Sequence, residues 1–143
     1  MRAVDTNVLI YAEITSSLHH SRANKLLSEF AQGSVPWAIA WPCVYEFLRI
    51  ITHPRVYHPP VSIEVALQDL NSILSSPSLS VLAETGSHPA MLDQVVRQSG
   101  ATGNLIHDAH IVALCLEHGV TELLTADRDF TRFSGLKITN PFA

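Results

Sequence analysis

The chain has 143 residues, enough for one domain with a proper hydrophobic core, and we assign residues 1–143 to a single domain. Hydrophobic residues make up 47% of the sequence and charged residues 15%, which disfavours intrinsic disorder, and no apolar run approaches the roughly 20 residues of a membrane span. The formal net charge of −4 argues against a large basic surface for nucleic acid, although metal ions can supply positive charge where a phosphate binds.

The N-terminus and the two cysteines both point to a reducing compartment. Asp5 interrupts the place where the apolar region of a signal peptide would lie. Cys43 and Cys115 form no close metal-binding pair, and we expect both to be free thiols. The sequence therefore predicts a cytoplasmic protein.

Short apolar strands alternate with longer helical segments, which is typical of a parallel α/β sheet. We predict strands over residues 3–4, 35–40, 79–83, 122–125 and, weakly, 137–139. Ser16 or Ser17 is expected to cap the second helix, and Ser62 the helix after the Pro59-Pro60 pair. Helix ends are predicted at Gly33, the His53-Pro54 pair, Pro77, Gly100 and Gly119.

A polar triplet, Asp5-Thr6-Asn7, directly follows the first predicted strand and precedes a helix. Open α/β sheets bind ligands in the crevice outside the carboxyl ends of their strands, so this triplet is placed for function. A carboxylate leaving an apolar core is expensive unless it is paired or binds a metal. A simpler role for Asp5, as a helix N-cap, remains open at this point.

Three further acids lie in apolar surroundings or directly after a strand. Glu46 lies just past the second strand in an otherwise apolar helix, and Asp127 directly follows the fourth strand. Asp108 shares a helix face with Ile111 and Val112, so it is expected to point toward the body of the protein. Taken singly, each acid has a simpler explanation as a solvated, paired or capping residue.

Together these acids favour a metal site, because in a parallel sheet they would converge on one crevice. Ionised like charges at close range repel strongly, and a divalent cation relieves the repulsion. Oxygen-only ligands favour Mg²⁺ or Mn²⁺ over Zn²⁺. One or two such ions can bind a phosphodiester oxygen, activate water and stabilise the leaving oxygen. The pattern therefore predicts metal-dependent hydrolysis of a phosphodiester.

Four motifs in this order resemble those of PIN-domain proteins, and specifically of VapC-type toxins of type II toxin–antitoxin systems. They are Val-Asp-Thr-Asn-Val-Leu over residues 4–9, Glu46 with Phe47, Asp108-Ala109, and Thr-Ala-Asp-Arg-Asp-Phe over residues 125–130. Each motif alone is weak, but the ordered set covers nearly the whole chain. Length and element order agree with the resemblance as well.

The resemblance implies a three-layer α/β/α fold with about five parallel strands and an endoribonuclease activity that depends on Mg²⁺ or Mn²⁺. Its acidic quartet matches Asp5, Glu46, Asp108 and Asp127, which would ligate the metal and position the attacking water. Asp129 matches a weaker accessory acid. Residues that match supporting, hydrogen-bonding positions are Thr6, Asn7 and Thr125.

The family also implies partners: an RNA substrate, a homodimer, and a cognate VapB-type antitoxin whose C-terminal segment lies along helices near the acidic groove. Apolar residues that we expect to remain for a partner are Tyr11, Trp41, Phe47 and Tyr57. Candidate phosphate contacts are Arg49, Arg55, Arg128 and Arg132, with ordinary surface charge as the alternative for each. The segment of residues 53–60 is longer than the corresponding segment of the shortest family members, which suggests a role in substrate or partner binding.

The histidines and the acids also allow other functions. His107 and His110 have the spacing of a zinc pair on a helix, but no cysteine or second histidine pair accompanies them, so we assign them surface or supporting roles. Two rival functions remain open: a non-catalytic RNA- or protein-binding PIN module, and a metal-dependent phosphatase of small phosphoesters.

Overall fold

A computed structural model describes all 143 residues as five strands, six α-helices and one 3₁₀ helix. The strands are β1 (Arg2–Val4), β2 (Trp37–Ala40), β3 (Leu79–Leu82), β4 (Glu122–Leu124) and β5 (Lys137–Thr139). The α-helices are α1 (Thr6–Glu13), α2 (His20–Gln32), α3 (Trp41–Ile51), α4 (Ile63–Leu74), α5 (His88–Ser99) and α6 (Leu105–Glu117), and the 3₁₀ helix is Arg128–Arg132. None of these helices combines the length and the hydropathy that a membrane span requires.

All strand pairs are parallel, and the strand order in the sheet is β3-β2-β1-β4-β5. The central strand β1 pairs with β2 through Ala3 and Ala38, and with β4 through Ala3 and Leu123. The chain winds outward from β1 in both directions, so the direction of winding reverses beside it, which is where such sheets bind ligands. The predicted α/β/α architecture with a parallel five-stranded sheet is confirmed.

The core lies between the sheet and the helices that follow its strands. Trp37 and Ile39 of β2 are buried, and the indole Nε1 of Trp37 donates a hydrogen bond to Ser76 Oγ at 3.3 Å. Phe47 of α3 is fully buried as well, so it is a core residue and the expectation that it remains for a partner is wrong. Helix α6 is buried along most of its length, which explains why its sequence is apolar nearly all round.

The predicted starts of the second helix and the second strand are wrong. Helix α2 begins at His20 with His19 at the N-cap, because Ser17 Oγ already accepts the His19 amide at 3.1 Å in the preceding turn. Strand β2 begins at Trp37 rather than at Val35, since Pro36 has no amide to donate to a ladder. Ser62 caps α4 as predicted, and Cys43 and Cys115 are free thiols as predicted.

Candidate active site

Asp5 leaves the carboxyl end of β1 and is almost fully buried. Its Oδ1 accepts the Thr6 amide at 2.8 Å, so it caps α1. Its Oδ2 accepts the Thr125 hydroxyl at 2.6 Å and the Asn7 side-chain amide at 3.0 Å. The N-cap role and a place in the acidic crevice are therefore compatible, because the two oxygens of one carboxylate serve different partners.

Thr125 connects the ends of β1 and β4. While its hydroxyl donates to Asp5, it accepts Asn7 Nδ2 at 3.0 Å and the Asp127 amide at 3.0 Å. Asn7 Oδ1 in turn accepts the Ala126 amide at 3.1 Å. This network explains the polar residues after both strands, since it holds the two strand ends, and the acids they carry, in one arrangement.

The other acids come from three different elements. Glu46 lies on α3, and its Oε2 accepts the Thr6 hydroxyl at 3.2 Å. Asp127 caps the 3₁₀ helix by accepting the Asp129 amide at 2.9 Å. Asp108 lies in the first turn of α6.

These acids converge on a cavity of about 160 Å³, which we call the acid cavity. Asp5, Glu46, Asp108 and Asp127 all line it, although they are widely separated in the sequence. A larger cavity of about 620 Å³ opens beside it, shares Glu46, Asp108 and Asp127, and adds Asp129. We call this larger space the outer cleft.

Several carboxylates lie close together in the acid cavity and repel one another. Burial, followed by repulsion from Asp127, Asp5, Asp129 and Glu46, raises the pKa of Asp108 to about 7. Burial also raises the pKa of Asp5, against the opposing hydrogen bonds from Thr125 and Thr6. No Lys or Arg side chain forms an ion pair with any of these acids. The carboxylates therefore lack a cation from the protein itself.

The donor set fits a hard divalent cation. Carboxylate oxygens from Asp108, Asp127 and Asp129 lie within 4.8 Å of one another, and Asp5 and Glu46 line the same space. Every candidate ligand is an oxygen, which suits Mg²⁺ or Mn²⁺ better than Zn²⁺.

Of the predicted phosphate contacts, the structure places only Arg49 at the cleft. Arg49 lines the outer cleft, whereas Arg55, Arg128 and Arg132 are exposed and line neither cavity. Residues 53–60 are mostly exposed and line neither cavity.

The sequence did not predict one contact of Asp5, which is with Cys43. The buried Cys43 thiol donates to Asp5 Oδ1 at 3.7 Å. Cys43 precedes Glu46 by one helical turn on α3, so the two share a face, and this spacing is the signal by which it could have been found.

With this geometry in place, comparison with known proteins identifies the class. The family model of the PIN domain matches residues 2–136, so the chain belongs to the PIN-domain family. Within that family it is similar to Ribonuclease VapC48 of Mycobacterium tuberculosis, with 32% identity over 139 residues that cover 97% of this chain and 96% of the relative. This similarity places the chain among the VapC proteins.

Solved structures agree on the fold. VapBC2 from Rickettsia felis, bound to a DNA fragment from its promoter, matches with a TM-score of 0.70 and 19% identity, covering 97% of each chain. A toxin–antitoxin complex from Klebsiella pneumoniae matches with a TM-score of 0.65 and 17% identity, covering 99% of this chain and 98% of the other. At such identities the likeness concerns the fold alone.

Proposed function

We propose that this protein is an endoribonuclease of the VapC type that hydrolyses RNA phosphodiester bonds with Mg²⁺ or Mn²⁺. The observation that carries the proposal is the acid cavity, in which Asp5, Glu46, Asp108 and Asp127 face one another without a cation from the protein. The name of the relative VapC48 as a ribonuclease supports RNA as the substrate.

In this proposal the four acids ligate the cation and position the attacking water. A divalent cation bound there supplies Lewis-acid stabilisation of the charge on the phosphodiester and lowers the pKa of water. Thr125, Asn7 and Thr6 hold the carboxylates in their orientation through the hydrogen bonds described above. Asp129 lies beside Asp108 and Asp127 and assists as a weaker ligand. Arg49 lines the outer cleft, where it can contact a backbone phosphate.

We further propose that the protein acts as a toxin in the cytoplasm, neutralised by a VapB-type antitoxin, and that it forms a homodimer. The toxin–antitoxin complex from Klebsiella pneumoniae, which shares the fold, supports this assignment. Exposed apolar side chains that such partners can cover include Trp41, Tyr45, Ile63 and Leu67. A monomer by light scattering, together with no complex on co-expression with a candidate antitoxin, would contradict this part of the proposal.

The test of the activity is an Asp5→Asn variant assayed on a fluorogenic RNA with Mg²⁺ and, separately, with Mn²⁺. We expect the wild-type protein to cleave the RNA and the variant to lose cleavage, because it removes the most buried acid of the site. Asp93→Asn is the matched control, since Asp93 is exposed and pairs with Arg97 at 2.9 Å.

Two further measurements separate the rival functions. Hydrolysis of nitrophenyl phosphate without cleavage of RNA would favour the small-phosphoester phosphatase. Calorimetry that detects no binding of Mg²⁺ or Mn²⁺ would favour the non-catalytic module. Undiminished cleavage by Asp5→Asn would reject the role of the acid cavity.

A further inference from the structure

A second group of potential metal ligands, which includes His110, lies outside the acid cavity. Glu84 follows β3, His88 is the first residue of α5, and His110 lies on α6. One donor atom from each of these three side chains lies within 4.8 Å of the other two. The sequence spacing had drawn attention to His107 with His110, but the fold pairs His110 with His88, whose rings lie 5.4 Å apart.

His110 and Glu84 already contact each other through a nitrogen and an oxygen that could both bind a cation. His110 Nε2 donates to Glu84 Oε1 at 2.7 Å. A divalent cation can displace that proton and bind both atoms, which is the usual reason that metal binding at histidine and carboxylate ligands releases protons.

His88 is held in the way that metal-binding histidines usually are. Its Nδ1 donates to Glu117 Oε2 at 2.6 Å, and the Glu117 side chain is fully buried. Glu117 Oε1 accepts both the amide of Thr85 at 3.0 Å and its hydroxyl at 2.8 Å. This fixes the orientation of the His88 ring and leaves Nε2 available. A carboxylate that orients a ligating histidine through its other nitrogen is a recurrent feature of zinc sites.

The cluster is open to solvent on one side, so an ion can enter. The side chains of His88 and His110 are 15% and 32% exposed, and that of Glu84 is 51% exposed. Ligands of Zn²⁺ lie at about 2.0–2.2 Å from the ion, which places the ligand atoms of a tetrahedral site about 3.4 Å apart. The donor atoms here lie within 4.8 Å of one another, with His110 Nε2 and Glu84 Oε1 at 2.7 Å, so side-chain rotation can bring them to that spacing.

We propose that Glu84, His88 and His110 form a second metal site for a borderline cation of the Zn²⁺ class, with Glu117 as the residue that positions His88. Two imidazole nitrogens and one carboxylate suit Zn²⁺, whereas the oxygen-only acid cavity suits Mg²⁺ or Mn²⁺. Three protein ligands leave one tetrahedral position for water or another donor. A bound ion would link three parts of the chain: α5, the segment after β3, and α6. His110 also lines the outer cleft, so this link lies beside the cleft.

The test uses the full-length protein in excess Mg²⁺, so that the acid cavity is occupied, and titrates it with Zn²⁺ by calorimetry and with Co²⁺ by visible absorption. We expect one equivalent of Zn²⁺ to bind and Co²⁺ to give the intense bands of four-coordinate geometry. His88→Gln and His110→Gln are expected to abolish both signals. Glu117→Gln is expected to weaken binding about 10–100-fold, as removal of an orienting partner does.

A matched control lies on the same helix. His107→Gln is expected to leave both signals unchanged, because His107 does not belong to the cluster. Since loss of His88 leaves the buried Glu117 without its partner, Glu84→Gln, at a half-exposed position, provides a variant that keeps the fold, as circular dichroism can verify. It is expected to weaken Zn²⁺ binding at least tenfold.

Two results would overturn the proposal. Absence of stoichiometric Zn²⁺ binding to the wild-type protein would mean that the cluster consists only of two histidine–carboxylate pairs. Zn²⁺ binding that survives Glu84→Gln and His110→Gln, but is lost in Asp108→Asn, would assign the ion to the acid cavity. Both readouts are independent of RNA cleavage, so they do not depend on the proposed ribonuclease activity.

Discussion

Helix α6 carries two acids whose environments shift their pKa values in opposite directions. Near its beginning, burial and the surrounding carboxylates raise the pKa of Asp108 to about 7. At its last residue, burial also acts to raise the pKa of Glu117, but hydrogen bonds from His88 and Thr85 outweigh it and lower the pKa. Burial acts in the same direction on both acids of this helix, so the difference between them comes from their neighbours: hydrogen-bond donors beside Glu117 and other carboxylates beside Asp108.

A second pair of acids, Glu13 and Asp69, limits how far this argument extends. Burial, a hydrogen bond with Asp69 and repulsion by it raise the pKa of Glu13 to about 7 as well. This pair lines a separate cavity of about 270 Å³ together with Leu9, Leu27 and Trp37. A raised pKa alone therefore does not mark the active site. The acid cavity is distinguished by several acids that meet at the carboxyl ends of neighbouring strands.

The largest effect is expected for Asp108→Asn. The substitution removes a proposed metal ligand and should lower RNA cleavage by more than about 100-fold, since loss of a mere orienting partner already costs about 10–100-fold. The free energy of unfolding without metal should not fall, because the variant relieves repulsion. Single-turnover cleavage and urea denaturation measure the two effects. Cleavage within tenfold of wild type would remove Asp108 from the site.

Thr125→Val tests the network that orients the acids. The isosteric side chain cannot donate to Asp5 or accept from Asn7, and we expect a loss of about 1–3 kcal/mol in the free energy of unfolding. Cleavage should fall about 10–100-fold. Thr121→Val is the control on the same strand region, because the Thr121 hydroxyl is exposed and makes only a 3.4 Å contact with the Met1 carbonyl. Equal effects of the two substitutions would contradict the special role of Thr125.

The pH dependence of the free energy of unfolding should show the effect of the raised pKa of Asp108. The pKa of Asp108 is raised in the folded protein from its ordinary value of 3.8 to about 7, so its ionisation disfavours the folded state. Stability without metal should therefore fall as the pH rises from about 4 to about 7, by about 1–2 kcal/mol after allowance for solvent screening of this partly exposed group. The lowered pKa of Glu117 acts in the opposite sense, since its contribution is lost as the pH falls.

Urea denaturation in a chelator at pH 5 and pH 8 measures this dependence in the wild-type protein and in Asp108→Asn. The contribution of Glu13, which titrates in the same range, is present in both proteins and cancels in the difference. A wild-type protein that gains stability relative to the variant between pH 5 and pH 8 would contradict the predicted sign.

The smallest effect is expected for Arg49→Ala. Arg49 lines the outer cleft, so its loss should weaken RNA binding by about tenfold or less and reduce the salt dependence of binding by about one unit of slope. Arg55→Ala provides the comparison, because Arg55 is exposed and lines neither cavity. A larger effect of Arg55 than of Arg49 would place the RNA path along residues 53–60 instead.

The sequence by itself determined the α/β class, the five strands and the acids that meet in the crevice. These features follow from local rules: strands and helices have their own apolar periods, and parallel strands all end at one edge of the sheet. Strand order, the burial of Phe47 and the start of α2 at His20 depend on packing and on local hydrogen bonds that a periodicity does not contain.

The tertiary structure alone decided which side chains outside the strand ends and the acidic motifs meet. It joined Cys43 to Asp5, and His88 to both His110 and Glu117, because those contacts depend on how α3, α5 and α6 pack against the sheet. It also decided the opposite pKa shifts of Asp108 and Glu117, two acids of one helix. A side chain's ionisation depends on the charges and donors within a few ångströms, and the order of residues along the chain does not specify those neighbours.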